Sequence, residues 1–290
     1  MTVAPHSYSV GILYAAQELL RMTEENLLNA QEFTASFPVL QTADGKRAFR
    51  LAQAAEWVVV TTDGYIRLAE KGHKIRRLTT PADALRTQLY DIILKFRPAW
   101  TSLIPRGRAE ASRYLPPEVL QAISEAELMG GDEEAVVAWW DSAANAARGF
   151  EQSAKLEIGR EGEKLSIAHE ASRTGRQPKW QSLESNLCGY DLISVTSASE
   201  TRRLLIEVKA CLALEEDARF HISRNQWEVA TGRIAYVFHV WVLRPEPKLM
   251  VMKVEDLRPH LPVEQGAGRW ESVVVRLRDL PESLIGIERS

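Results

Sequence analysis

Three side chains in the second half of the chain have the types and spacing for metal and phosphate chemistry. Asp191 follows Gly189-Tyr190 and opens an apolar stretch, Leu192-Ile193. Glu207 and Lys209 alternate with apolar residues in Ile206-Glu207-Val208-Lys209. On a strand, residues two apart share a face, so Glu207 and Lys209 point one way and Ile206 and Val208 the other. The segment between the two stretches is short enough for a hairpin. With its turn at Ser197-Ala198-Ser199-Glu200, Asp191 falls opposite Ile206 and Glu207. Two carboxylates and one ammonium then meet at one end of the hairpin. Two hard oxygen ligands can hold Mg²⁺. A lysine beside them can orient a water or stabilise charge developing on a phosphate. Phosphodiester hydrolysis needs that arrangement.

The neighbouring elements must hold this hairpin in place. Residues 151–174 read as one amphipathic helix containing Gly159, Gly162 and Glu163. A glycine inside a helix costs about 1 kcal/mol relative to alanine. Close packing of the helix on a sheet would account for both glycines, and Glu163 would project toward the sheet's active edge. Trp180 to Leu183 reads as a short strand. His221-Ile222 ends another, and Ser223 is a good N-cap for a helix through Arg224, Asn225, Gln226, Trp227 and Glu228. Ala235 to Leu243 reads as a buried strand, part of the apolar run from Ile234, and Val273-Val274-Val275 as an edge strand.

Helix, hairpin with Asp and Glu-x-Lys, helix and strand is the element order of the PD-(D/E)XK nuclease superfamily, which the chain resembles over residues 151–245. Within it, "IGREGEKL", "GYDLIS", "LLIEVKA" and "ISRNQWEVA" are similar to the NO VEIN C-terminal-like domain, a Mrr-related restriction-endonuclease-like family. The resemblance implies an α/β domain over residues 151–290 with a mixed central sheet flanked by helices. It implies that Asp191 and Glu207 bind Mg²⁺, with Mn²⁺ able to substitute, and that Lys209 positions the attacking water. Glu163 would add a carboxylate, and Gln226 matches a helix position near the active centre. Where the superfamily has a proline before the aspartate, this chain has Tyr190.

The first half reads as an α+β region that is winged-helix-like over residues 1–80, followed by a helical connector over 81–150. Helical spacing covers residues 11–34, with a break near Thr23, Glu25 and Asn26, and residues 45–56 form another helix. Trp57 to Val60 and Tyr65 to Leu68 read as strands joined by a tight turn at Asp63-Gly64, and Glu70-Lys71-Gly72 as the end of that hairpin. This order resembles a winged helix-turn-helix domain. Residues 46–77 carry eight basic and three acidic side chains, a local balance of +5. In such a domain Lys46, Arg47 and Arg50 would start the recognition helix, and the wing would carry Arg67. The plainer alternative is a solvated face that packs only against protein. Trp139-Trp140 reads as packing rather than a base-stacking platform, and Gly130-Gly131 as an acidic loop and hinge.

Composition limits the alternatives. The 290 residues carry 36 Lys and Arg against 39 Asp and Glu, a formal charge of −3, so nucleic-acid contact must come from local basic patches. The two cysteines, Cys188 and Cys211, have no zinc spacing, and a reduced cytoplasmic protein is the simplest reading. Met1 to Ser9 has no leader pattern, and the most apolar run is too short for a bilayer. His169, His221 and His239 have no partners at ligand spacing. The expectation is a Mg²⁺-dependent endodeoxyribonuclease of a restriction or antiphage kind. Its partner is DNA, and cutting both strands would call for a homodimer or two binding events. The alternative is a catalytically inactive nuclease-like binding module, or a docking subunit of a defence complex.

Overall fold

The structure is a computed structural model that describes residues 8–36, 39–40, 43–185, 187–214, 217–233, 235–263 and 268–281. Residues 1–7 and Ile234 lie outside the described residues. The chain divides into two compact units, Met1–Gln152 and Ser153–Ser290.

The first unit begins with α1 (Val10–Glu25), β1 (Leu28–Asn29), α2 (Ala30–Ala35), β2 (Val39–Leu40), β3 (Ala43–Asp44) and α3 (Gly45–Ala54). A hairpin follows, β4 (Val58–Val60) and β5 (Tyr65–Leu68), and β1 pairs with β5 to give the sheet order β1-β5-β4. Asn29 and Asp44 cap α2 and α3 by accepting backbone N–H bonds, which is why those helices start where they do. Glu70-Lys71-Gly72 does not end the hairpin; it opens α4 (Glu70–Arg76), with Gly72 so close to the Trp57 carbonyl that a Cβ would not fit.

Then come α5 (Pro81–Phe96), a 3-10 helix (Ala99–Arg106), α6 (Arg108–Ala111), α7 (Pro117–Glu125) and the start of α8 (Glu134–Thr174). Residue 80 does not separate two cores. Leu13, Leu19, Leu51, Trp57 and Ile66 share one buried cluster with Leu89, Ile93, Ile123 and Trp139, because α5 and α7 pack on α1. Trp139 and Trp140 stack edge to face and donate to the carbonyls of Arg86 and Leu128, so they are packing residues. The Gly130-Gly131 segment is tied down by Arg108 Nη1, which donates to both glycine carbonyls at 3.0 and 2.8 Å.

The helix expected over residues 151–174 is the C-terminal part of α8, which starts at Glu134. After it come β6 (Lys179–Trp180), a 3-10 turn (Gln181–Leu183) in place of a longer strand, β7 (Leu192–Val195) and β8 (Arg203–Cys211). Next are β9 (Arg219–Ser223), α9 (Arg224–Thr231), β10 (Tyr236–Val242), β11 (Lys248–Lys253), α10 (Val254–Leu257) and β12 (Ser272–Arg276). Five strands form a mixed sheet in the order β11-β10-β8-β7-β6, in which only β8 and β10 are parallel. β12 pairs with β9 in a separate two-stranded sheet.

Alternation along β8 divides the second unit's core between two faces. Ile206 and Val208 pack with Leu192 and Trp241 against Ile158 and Leu165 of α8. Leu205 lies on the other face with Phe238, Val240 and Met252, packed with Phe220, Ile222 and Ala230. Gly162 allows the close approach of α8: a Cβ there would sit 2.7 Å from Ala210 Cβ. Gly159 makes no such approach: a Cβ there would meet nothing within 4 Å. No helix among the described residues is long and apolar enough to cross a membrane.

Candidate active site

The hairpin of β7 and β8 brings the acids together. Leu192 pairs with Ile206 and Val195 with Arg203, so Asp191, one residue before β7, lies opposite Glu207. The turn closes with Thr196 N donating to Arg202 O at 3.0 Å, where the sequence suggested it. The Asp191 backbone is held from both sides. Its N–H donates to Ile206 O at 2.9 Å, and its carbonyl accepts from the N–H groups of Gln181 and Ser182 at 2.7 and 3.0 Å. Its side chain crosses to β8, where Oδ2 accepts from Val208 N at 2.8 Å. Upstream, Gly189 takes a φ of +74°, which glycine tolerates, and its carbonyl accepts from the buried Tyr236 hydroxyl at 2.6 Å.

Glu207 is 3% exposed, and Oε1 is its engaged oxygen. Lys209 Nζ donates to that oxygen at 2.8 Å, and Gln226 Nε2 donates to it as well. Lys209 Nζ also donates to Gln226 Oε1 at 3.1 Å, closing a ring of three side chains. The start of α9 fixes Gln226. Ser223 Oγ accepts from Gln226 N at 3.3 Å, and Ser223 N donates to Gln226 Oε1 at 2.9 Å, a reciprocal cap. The residue that caps the helix therefore also orients the lysine and the glutamate.

Glu163 comes from α8. Its Oε2 accepts from Arg160 Nη1 at 2.7 Å, from Ser182 Oγ at 2.6 Å and from Trp180 Nε1. No role at the site was legible in the sequence for Arg160, Trp180 or Ser182. The i, i+3 spacing of Arg160 and Glu163 was the available signal.

Negative charge dominates the cluster. Burial, with the charge of Glu207 and more weakly that of Glu163, pushes the Asp191 carboxyl up to about 7 against the opposing Val208 N–H. Glu207 is also raised, by burial first, although Lys209 pulls it down. No group of three or more His, Cys, Asp or Glu among the described residues is arranged to hold a metal. The donor set is a facing pair of carboxylates, each hydrogen-bonded through one oxygen. Mg²⁺ is commonly held by one or two carboxylates, with water and substrate phosphate completing its shell, and this pair fits that chemistry.

Lys46, Arg47, Arg50 and Arg67 belong to the first unit. The buried face of α3 is Ala48, Phe49, Leu51 and Ala52, which leaves Arg47 and Arg50 exposed, and Arg67 is exposed on β5 opposite Val59. Part of the basic surplus there is neutralised locally: Lys71 pairs with Glu56 at 3.1 Å and Arg76 with Glu24 at 2.8 Å.

A second polar cluster, not anticipated from the sequence, lies under α8. Ser166 and Glu170, one helical turn apart, meet His239 of β10 and Ser194 of β7, all buried. Ser166 Oγ lies 3.2 Å from His239 Nδ1 and accepts from Trp241 Nε1 at 2.8 Å. Arg173 clamps Glu170 through two bonds, 2.8 and 2.6 Å. The His169 and His239 rings stand edge to face with centroids 5.6 Å apart. Burial raises the Glu170 carboxyl, but hydrogen bonds from Arg173 and Ser194 and the Arg173 charge bring it below its ordinary value. Burial pushes His239 down to about 4.

The family model described as Protein NO VEIN, C-terminal, matches residues 162–252. That span contains Glu163, Asp191, Glu207, Lys209 and Gln226, and over it the second unit is similar to a family in the area of PD-(D/E)XK-like nucleases. No curated protein and no solved structure matches the chain.

Proposed function

We propose that the chain is a metal-dependent endodeoxyribonuclease whose second unit cuts DNA and whose first unit reads it. The observation that carries the reading is Asp191 facing Glu207 across the hairpin, with Lys209 one pleat along and bonded to Glu207. Asp191 and Glu207 would hold Mg²⁺ or Mn²⁺, with Glu163 as a further carboxylate. The bound ion would supply a water of lowered pKa and neutralise phosphate charge. Asp191 would give up its proton to take part. Lys209 would donate a hydrogen bond to the attacking water and stabilise charge on the phosphate. Gln226 would keep Lys209 and Glu207 in register.

The first unit supports a reading role through its order of helix, strand, helix, the short β2–β3 pair, helix and hairpin, with sheet order β1-β5-β4, which suits a winged helix. Lys46, Arg47 and Arg50 on α3 would meet the major groove, and Arg67 the backbone beside the wing. A reader joined to a cutter suits a restriction or antiphage enzyme.

The test is nicking of supercoiled plasmid by the purified full chain, with Mg²⁺ against EDTA, on modified and unmodified DNA. Cleavage that needs the metal and is lost in Asp191→Ala and Lys209→Ala proteins is expected. DNA binding without cleavage on any substrate would make the chain a nuclease-like binding module instead.

A further inference from the structure

At Gly159 the close packing of α8 on the sheet stops and a groove begins. Lys155, Ile158, Gly159 and Gly162 share one face of the helix. At Gly162 that face touches the sheet, while one turn earlier, at Gly159, there is open space. The gap is a cavity of about 680 Å³ between α8 and the end of β8, floored by Val208, Ala210 and Cys211 and reaching Lys209. A smaller cavity of about 150 Å³ adjoins it and shares Asp217 and Arg219 with it. Arg276 and Arg278 line the rest of the smaller cavity.

The arginines converge because of strand register. Arg219 opens β9 and pairs directly with Arg276, which closes β12. Arg278 follows two residues later, beside Leu277, whose N–H is anchored to Ala218 O at 2.9 Å. All three arginines are exposed, although their neighbours Phe220, Val275 and Leu277 are buried. Among the described residues the acid lining either cavity is Asp217, and Arg278 lies 3.8 Å from Asp279. Like charges placed directly opposite on paired strands are destabilising. Paired arginines beside a further arginine therefore point to an anionic ligand.

We infer that the DNA backbone follows this groove, with phosphates seated at Arg219, Arg276 and Arg278 and the strand passing Gly159 to reach Lys209. The inference rests on the nuclease reading and names how its substrate is held. Gly159 leaves room for the strand, which accounts for a helical glycine that packs against nothing. These contacts are to phosphate, so they position DNA without reading its sequence.

The test uses the full chain, a short fluorescein-labelled DNA duplex and anisotropy in EDTA across a salt series. Plasmid cleavage in Mg²⁺ runs in parallel. Replacing Arg276 and Arg278 together with alanine should weaken binding equally for unrelated sequences. It should also lower the salt slope by about two. In cleavage it should raise KM and leave kcat within about threefold, the signature of lost uniform binding. Gly159→Leu, which fills the groove with a better helix former, should raise KM in the same way. Unchanged affinity, salt slope and KM in these variants, with cleavage still abolished by Asp191→Ala, would overturn the groove and leave the nuclease standing. Cleavage that survives Asp191→Ala would instead overturn the nuclease reading. Tighter binding of a matching RNA duplex than of DNA would overturn the choice of DNA.

Discussion

Glu207 on β8 and Glu170 on α8 are about equally buried, at 3% and 1% exposure, yet their environments act in opposite directions. Burial alone would raise both. At Glu170 it is outweighed. Arg173 binds both carboxylate oxygens, Ser194 adds a hydrogen bond, and His239 alongside stays neutral. At Glu207 the compensation falls short, because Lys209 serves a cluster that also contains Asp191 and Glu163. The first cluster is a closed structural network. The second holds negative charge in excess of its partners, which a divalent cation would balance. Ser166, His239 and Glu170 have the residue types of a nucleophile, a base and an acid, but Ser166 is fully buried, so a substrate does not reach it.

The two clusters should differ most in their effects on cleavage. Lys209→Ala should lower the rate of plasmid cleavage by roughly a thousandfold, in the range seen when a group stabilising transition-state charge is removed. Ser166→Ala should leave the rate within a fewfold. Equal losses measured under the same conditions would erase the distinction.

Stability should separate the clusters in sign. Glu170→Gln weakens two charge-assisted bonds from the partly exposed Arg173 and should cost about 1.5–3 kcal/mol in urea unfolding. Asp191→Asn should stabilise the metal-free protein at pH 8. The folded Asp191 pKa, about 7, lies above its unfolded value of 3.8, so its contribution is present at low pH and lost as pH rises through about 7. The advantage of the asparagine should therefore shrink as pH falls toward 3.8.

His239 offers a pH test of the closed network. Its folded pKa of about 4 lies below the ordinary 6.5, so between those values the unfolded chain takes up a proton that the folded protein refuses. Stability should fall by about 3 kcal/mol as pH drops across that window. His239→Gln should flatten that part of the profile in denaturant unfolding at a series of pH values.

The smallest effects concern the two glycines of α8. Gly162→Ala drives a Cβ to 2.7 Å from Ala210 Cβ and should destabilise by about 1–3 kcal/mol. Gly159→Ala meets no atoms and should stabilise by up to about 1 kcal/mol through helix propensity. Thermal melting of the two proteins checks both signs.

Much of the acid cluster was legible because strand chemistry is local. The alternation of Ile206, Glu207, Val208 and Lys209 and a symmetric turn put Asp191 opposite Glu207. Ser223 announced α9, and that cap fixed Gln226. What stayed hidden depended on chain segments distant in sequence. His239 found Ser166 and Glu170 only through the packing of α8 on β10. Arg219 met Arg276 only through the pairing of β9 with β12. The two glycines of α8 looked alike, since helix propensity does not say which one faces a strand. Residues 81–150 looked like a connector because their periodicity gave no sign that α5 and α7 share the core of α1.

The central claim is that the carboxylates of Asp191 and Glu207 together form a divalent-cation site. A titration of Mn²⁺ against thermal melting of the full chain, without DNA, tests it most directly. The wild type should gain stability as RT ln(1 + [Mn²⁺]/Kd), while Asp191→Asn should gain none and Ser166→Ala should gain as much as the wild type. A wild type that Mn²⁺ does not stabilise, or an Asp191→Asn protein that gains as much, would contradict the account.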